Sequence, residues 1–162
     1  MSKGRGGIFL TIPALGERRC YEFMGYLVEA TIDSVHVFSI EKEIRLNVTS
    51  PWEGKKRYQI IAKGVDDFGL NGMRVLNIVD RAIFFDAGND QEVETARCLF
   101  FLMRGRDPQP DDLKDTNFLQ KLNLVRTGKL VLFELEAVYG AACILLAESV
   151  VLEPLNAVGL HT

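Results

Sequence analysis

Residues 137–147 read AVYGAACILLA, an uncharged run in a chain of which 25% is charged. Four structures compete for it: a membrane span, a glycine-rich cofactor loop, a core helix and a buried hairpin. A spanning helix needs roughly 20 apolar residues. This run is about half that length and is flanked by Glu134, Glu136 and Glu148. The chain holds no GxGxxG and no GxxxxGK[ST], the glycine patterns that cradle phosphates. The hairpin fits best. KLVLFELEAV (129–138) alternates, with Val131, Phe133, Leu135 and Ala137 on one face and Glu134 and Glu136 on the other. The turn falls at Tyr139-Gly140, where glycine supplies the positive φ of a tight turn. The chain returns through AACILLAESVVLEP. There Ala142, Ile144, Leu146 and Val150 share one face, and Cys143, Leu145, Ala147 and Val151 the other. Both faces are apolar, as in a central strand covered on both sides. A helix is the competing reading, because Ala and Leu are good helix formers.

Outward from this hairpin the pattern stays strand-like. EIRLNV (43–48) puts Ile44, Leu46 and Val48 on one face. YEFMGYLVEATI (21–32), SVHVFSI (34–40), RYQIIAKGV (57–65) and MRVLNIVDRAIFF (73–85) read as further strands, the last with a periodicity that also admits helix, and with TSPWEGKK, DDFGLNG and DAGND as breaks. Helix fits 90–97, where Asn89 and Glu92 have capping-box spacing; residues 98–106 suit helix or strand. Thr116 to Leu122 suggests a short helical turn. LNLVR (122–126), a Thr-Gly turn and KLVLFELEAV read as a hairpin. The fold class is therefore mainly β, of α+β type. We expect an antiparallel, meander-like sheet of about seven strands, curled as a barrel or sandwich, with one or two short helices.

The length of 162 residues suggests one domain, enough to hide about 68–70% of the unfolded chain's surface. Residues 1–19 read as a loosely held arm that Ile8, Phe9 and Leu10 dock to the body. The net charge of −3 argues against wholesale nucleic-acid binding and permits a basic partner. Cys20, Cys98 and Cys143 are far apart and set among apolar residues, which points to reduced thiols in a cytoplasmic protein. No signal peptide is visible, so the sequon Asn47-Val48-Thr49 carries no consequence.

Chemistry is sparse. His36 lies on a strand and reads as structural; His161 lies at the terminus. The acidic groups Asp66-Asp67 and Asp86, Asn89, Asp90, Glu92 read as turn and capping residues, and no metal or cofactor motif is found. The best surface candidate is PWEGKKRY (51–58), in which Trp52 stands beside Lys55, Lys56 and Arg57. Exposed Trp and Arg are common anchors for protein partners, and the same residues suit single-stranded nucleic acid.

The block GYLVEATIDSVHVFSIEKEIRLNV, followed by RYQIIAKGVDDFGLNGMRVLNIVDRAIFF, resembles immunity proteins of bacterial polymorphic-toxin systems and related small β-rich families. The shared features here are Gly64, Val65, Asp67, Gly72, Asn77, Ile78 and Val79, with the closing FELEAVYGAACILLAESV. The resemblance covers about half the chain, and residues 88–123 have no counterpart in it. It implies a cytoplasmic, non-enzymatic protein that binds and blocks a toxin of the same bacterium, and it fixes no site residues. Two alternatives stand beside it. One is a small β-barrel that binds single-stranded nucleic acid through Trp52. The other is an enzyme with a site assembled from scattered residues such as Asp66, Asp67, Asp86 and Tyr139.

Overall fold

A computed structural model describes residues 10–12, 25–52, 54–85 and 91–155. Ile8, Phe9, Cys20, the start of the first expected strand, Asp86, Asn89, Asp90 and His161 lie outside the described residues. Among the described residues seven strands form one antiparallel sheet: β1 (Leu10–Ile12), β2 (Thr31–Phe38), β3 (Glu43–Thr49), β4 (Arg57–Asn71), β5 (Ile78–Phe85), β6 (Val131–Tyr139) and β7 (Ala142–Pro154). Two meanders, β2-β3-β4 and β5-β6-β7, are joined by β4 pairing with β7 and β2 with β5. Because β6 also pairs with β7, the six long strands close into a ring, a barrel rather than a sandwich. β1 lies beside the far half of β7, with Leu10 opposite Leu152.

The hairpin of the opening run is present, with Gly140 at φ +84°. β7 is the central strand, flanked by β4 on one side and by β6 and then β1 on the other. Its two apolar faces have different destinations. Cys143, Leu145 and Ala147 point into the barrel with Phe133, Leu135 and Ile60. Leu146 points outward, beneath two helices. One detail of the expected alternation is corrected: Val150 lies inside the barrel, not on the Leu146 face. The phase changes where β7 passes Gly64 of β4. That glycine has φ +61°, and a Cβ on it would meet the Glu148 side chain at 2.5 Å.

Two helices cover the barrel wall, α1 (Glu92–Arg104) and α2 (Thr116–Arg126), linked through a short 3-10 turn at Asp112–Lys114. Their apolar stripes (Cys98, Leu99 and Phe100; Phe118, Leu122 and Val125) close over Phe85, Leu132 and Leu146 on the outer barrel wall. Phe100 and Phe118 meet edge to face at 5.5 Å, a favoured aromatic geometry. This packing extends helix through 98–104 and overturns the strand reading of LNLVR. Leu122 and Val125 lie i, i+3 on a buried helical stripe. Asp115 caps α2 by accepting from the Phe118 N–H at 2.9 Å.

Three other boundaries differ from expectation. Residues 25–27 are helical, and β2 begins only at Thr31; Leu27 is driven into the barrel core, fully buried. β4 does not break at Asp66 but continues to Asn71 past an irregularity between Val65 and Asp67. β5 begins at Ile78, so residues 73–77 form a loop.

Candidate functional site

The expected anchors all sit at the β3–β4 connection. The Ser50 N–H donates to the Lys56 carbonyl at 2.8 Å, and Gly54 and Lys55 adopt positive φ to close the turn. Trp52 is half-exposed, at 48%. Its indole N–H donates to the Val28 carbonyl at 3.0 Å, so one edge is tethered while the ring remains at the surface. Lys55 and Lys56 on the same connection and Arg57 at the start of β4 are exposed.

A second surface lies where loop 72–77 meets the β6–β7 turn. Asn77, only 1% exposed, holds the two together. Its Oδ1 accepts from the N–H groups of Arg74 at 2.8 Å and Ala141 at 3.0 Å. Its Nδ2 donates to the carbonyls of Arg74 at 2.8 Å and Ile32 at 3.4 Å. On this braced frame Met73, Val75, Leu76, Val138 and Tyr139 are exposed, Val75 completely. The Arg74 guanidinium stands 5.5 Å from the centre of the Tyr139 ring. Reading 73–85 as one strand hid this loop. The buried Asn in an apolar run was the available signal, because a buried amide must find partners.

The third feature is a groove of about 900 Å³ between α1 and the outer barrel wall. Its base is apolar, formed by Ile83, Ile144 and Gly69, with Phe101 and Leu102 of α1 along one side. Glu134 lines the groove. Register places Glu134 directly between Ile83 on β5 and Ile144 on β7, and the Cys98 thiol donates to it at 3.7 Å. Burial, and then repulsion from Glu136, holds the Glu134 carboxyl above its ordinary range. Burial and the Glu134 charge push the Cys98 thiol strongly up, so it stays protonated and is a poor nucleophile. Cys143, inside the barrel, is pushed up to about 12 by burial.

The groove's cations are engaged. Arg81 forms a two-pronged pair with Glu136, one prong at 3.1 Å. Arg97 binds Asp107 at 3.1 Å and lies 3.9 Å from Glu94. Four carboxylates (Glu94, Asp107, Glu134, Glu136) thus face two guanidiniums. Glu134 pairs with no cation among the described residues. Alternation along β6 correctly turns Glu134 and Glu136 outward; that α1 covers this wall depends on tertiary packing and has no local signal.

Of the residues considered for a scattered catalytic site, Asp66, Asp67 and Tyr139 do not line the groove, and Asp86 lies outside the described residues. Asp66 pairs with Lys121 of α2, Asp67 accepts from the Phe68 N–H at 2.9 Å, and Tyr139 lies at the barrel end. His36 is exposed and shares a hydrogen bond with the Ser34 hydroxyl at 3.1 Å. Among the described residues no three His, Cys, Asp or Glu side chains gather as a metal site, and no helix is long and apolar enough to cross a membrane. No protein-family model, no curated protein and no solved structure matches this chain.

Proposed function

We propose that this chain is a non-enzymatic protein-binding module of the immunity-protein kind, which docks a toxin of its own cell onto the barrel end. The observation that carries the reading is the exposure of Val75 among Met73, Leu76, Val138 and Tyr139 on a loop fixed by Asn77. Clustered apolar exposure of this sort marks interaction surfaces. Aromatic and arginine side chains, here Tyr139 and Arg74, are frequent anchors. A frame already ordered before binding reduces the entropy lost on association. The net charge of −3 favours encounter with a basic partner.

The test is co-production of the tagged chain with the product of each flanking gene, read by size-exclusion chromatography with light scattering. A defined complex and protection of the host from that product are expected. The double variant Val75→Asp/Tyr139→Asp changes only exposed positions, so it keeps the parental melting temperature within a few degrees and loses the complex. The reading fails if no flanking product binds, or if the variant binds as tightly as the parent.

A second reading, binding of single-stranded nucleic acid, is favoured by the half-exposed Trp52 beside Lys55 and Arg57 on a small closed barrel. It requires quenching of the single tryptophan by oligothymidine at low salt, with an affinity that falls steeply as salt rises. An unquenched signal eliminates it.

A further inference from the structure

We propose that the groove between α1 and the barrel is a binding site for an organic ammonium ion on an apolar body, with Glu134 as its counter-ion. The site is distinct from the protein-docking surface of the barrel end. Its volume of about 900 Å³ lies within the range of small-molecule sites. Its chemistry selects the ligand's sign. Both guanidiniums are already paired, Arg81 with Glu136 and Arg97 with Asp107, so an anion would compete with a carboxylate for either. Glu134 is the reverse case: a carboxylate walled by Ile83 and Ile144, with only a thiol donor in contact. A half-buried carboxylate in such surroundings is unfavourable until a cation joins it.

The remaining lining selects the ligand's body. Ile83, Ile144 and Leu102 give an apolar seat. Phe101 is 42% exposed at the groove's edge, placed to cover an aromatic or alicyclic group. Gly69 keeps the base low: a Cβ there would sit 3.3 Å from Leu102 Cδ1. A metal ion is a poorer match, because among the described residues no three ligating side chains converge here.

The binding has a pH signature. Burial and Glu136 on the same strand raise the Glu134 carboxyl, while Arg81 on β5 and Arg97 on α1 oppose them; Cys98 on α1 faces it as a neutral thiol, and the carboxylates of Glu94 and Asp107 also line the groove. Protonation of Glu134 removes the counter-ion. Affinity for an amine therefore falls on acidification through a midpoint above the ordinary glutamate range.

The test uses three matched probes, 4-phenylbutylamine, 4-phenylbutanol and 4-phenylbutyrate, followed by ¹⁵N–¹H correlation spectra of the full chain at pH 7.5. The amine should bind about tenfold more tightly than the alcohol, the carboxylate should not bind, and shifts should centre on Ile83, Phe101, Glu134 and Ile144. Glu134→Gln removes a charge the fold disfavours, so its own spectrum stays dispersed, and the amine should drop to the affinity of the alcohol. Equal binding of amine and alcohol, amine affinity unchanged in Glu134→Gln, or shifts centred elsewhere would each overturn the proposal. Loss of the barrel-end complex in the Val75→Asp/Tyr139→Asp variant bears only on protein docking and leaves this result unaffected.

Discussion

At the scale of single residues, the contact between Gly140 and Asn77 decides whether the barrel end is ordered. Gly140 has φ +84°, and a Cβ there would lie 2.5 Å from Asn77 Oδ1 and 2.7 Å from the Leu76 carbonyl. The first problem is conformational and the second is steric, and a comparison separates them. Gly128 has a similar φ of +73° with nothing within 4 Å of the added carbon. Gly128→Ala should therefore cost only the left-handed penalty of about 1–2 kcal/mol. Gly140→Ala should cost about 3–4 kcal/mol, because it also displaces the Asn77 side chain from its four hydrogen bonds. Urea unfolding measures both. Equal losses would mean that loop 72–77 moves aside freely and is not the fixed frame that docking requires. The glycine's turn role is legible in AVYGAACILLA itself. Its closeness to Asn77 is not, because 63 residues separate them and no local pattern records the meeting.

At the scale of elements, α2 shows why part of the chain misleads. LNLVR carries β-branched and apolar residues before a Thr-Gly turn, which suits a strand as well as a helix. What decides is burial at Phe118, Leu122 and Val125, a helical spacing against Phe100 and the barrel wall. Propensity is weak here and tertiary packing overrides it. The Asp115 cap was a usable start signal, standing one residue before the helix. Asp115→Ala should lower stability by about 1 kcal/mol, and Asp115→Asn should restore most of it, because an amide oxygen caps nearly as well. A full loss in the Asn variant would instead assign the effect to the 3.7 Å contact between Asp115 and Arg104. By contrast β3 and β6 are readable from alternation alone, since each has a barrel interior to fill; β7, apolar on both faces, is readable as a strand but not in its phase beyond Ala147. The groove was not: Glu134 and Glu136 look like an ordinary solvated face until α1 is laid across it.

At the scale of the whole molecule, the ring of strands has one weak join. β4 and β7 share a ladder running from Tyr58–Pro154 to Asn71–Ala142. β2 and β5 share a single strand pair, Thr31 with Ile78. Three further backbone bonds help: Glu29 N–H to Val79 O, Ile32 N–H to Asn77 O and Val79 N–H to Ala30 O, each 2.9 Å. Opening that join breaks few bonds and needs no loss of the β4–β7 ladder. Native-state hydrogen exchange should therefore place the amides of Ile32 and Val79 in a lower-energy opening unit than those of Phe133 and Leu145, by about 2 kcal/mol or more. The same join carries the Asn77 brace, so a partner bound at the barrel end should raise the protection of Ile32 and Val79 most. An ammonium ligand in the groove should instead protect the β5–β6–β7 wall around Glu134. Uniform protection of all four amides, free and bound, would show that the barrel opens only by global unfolding and that neither site is linked to the join.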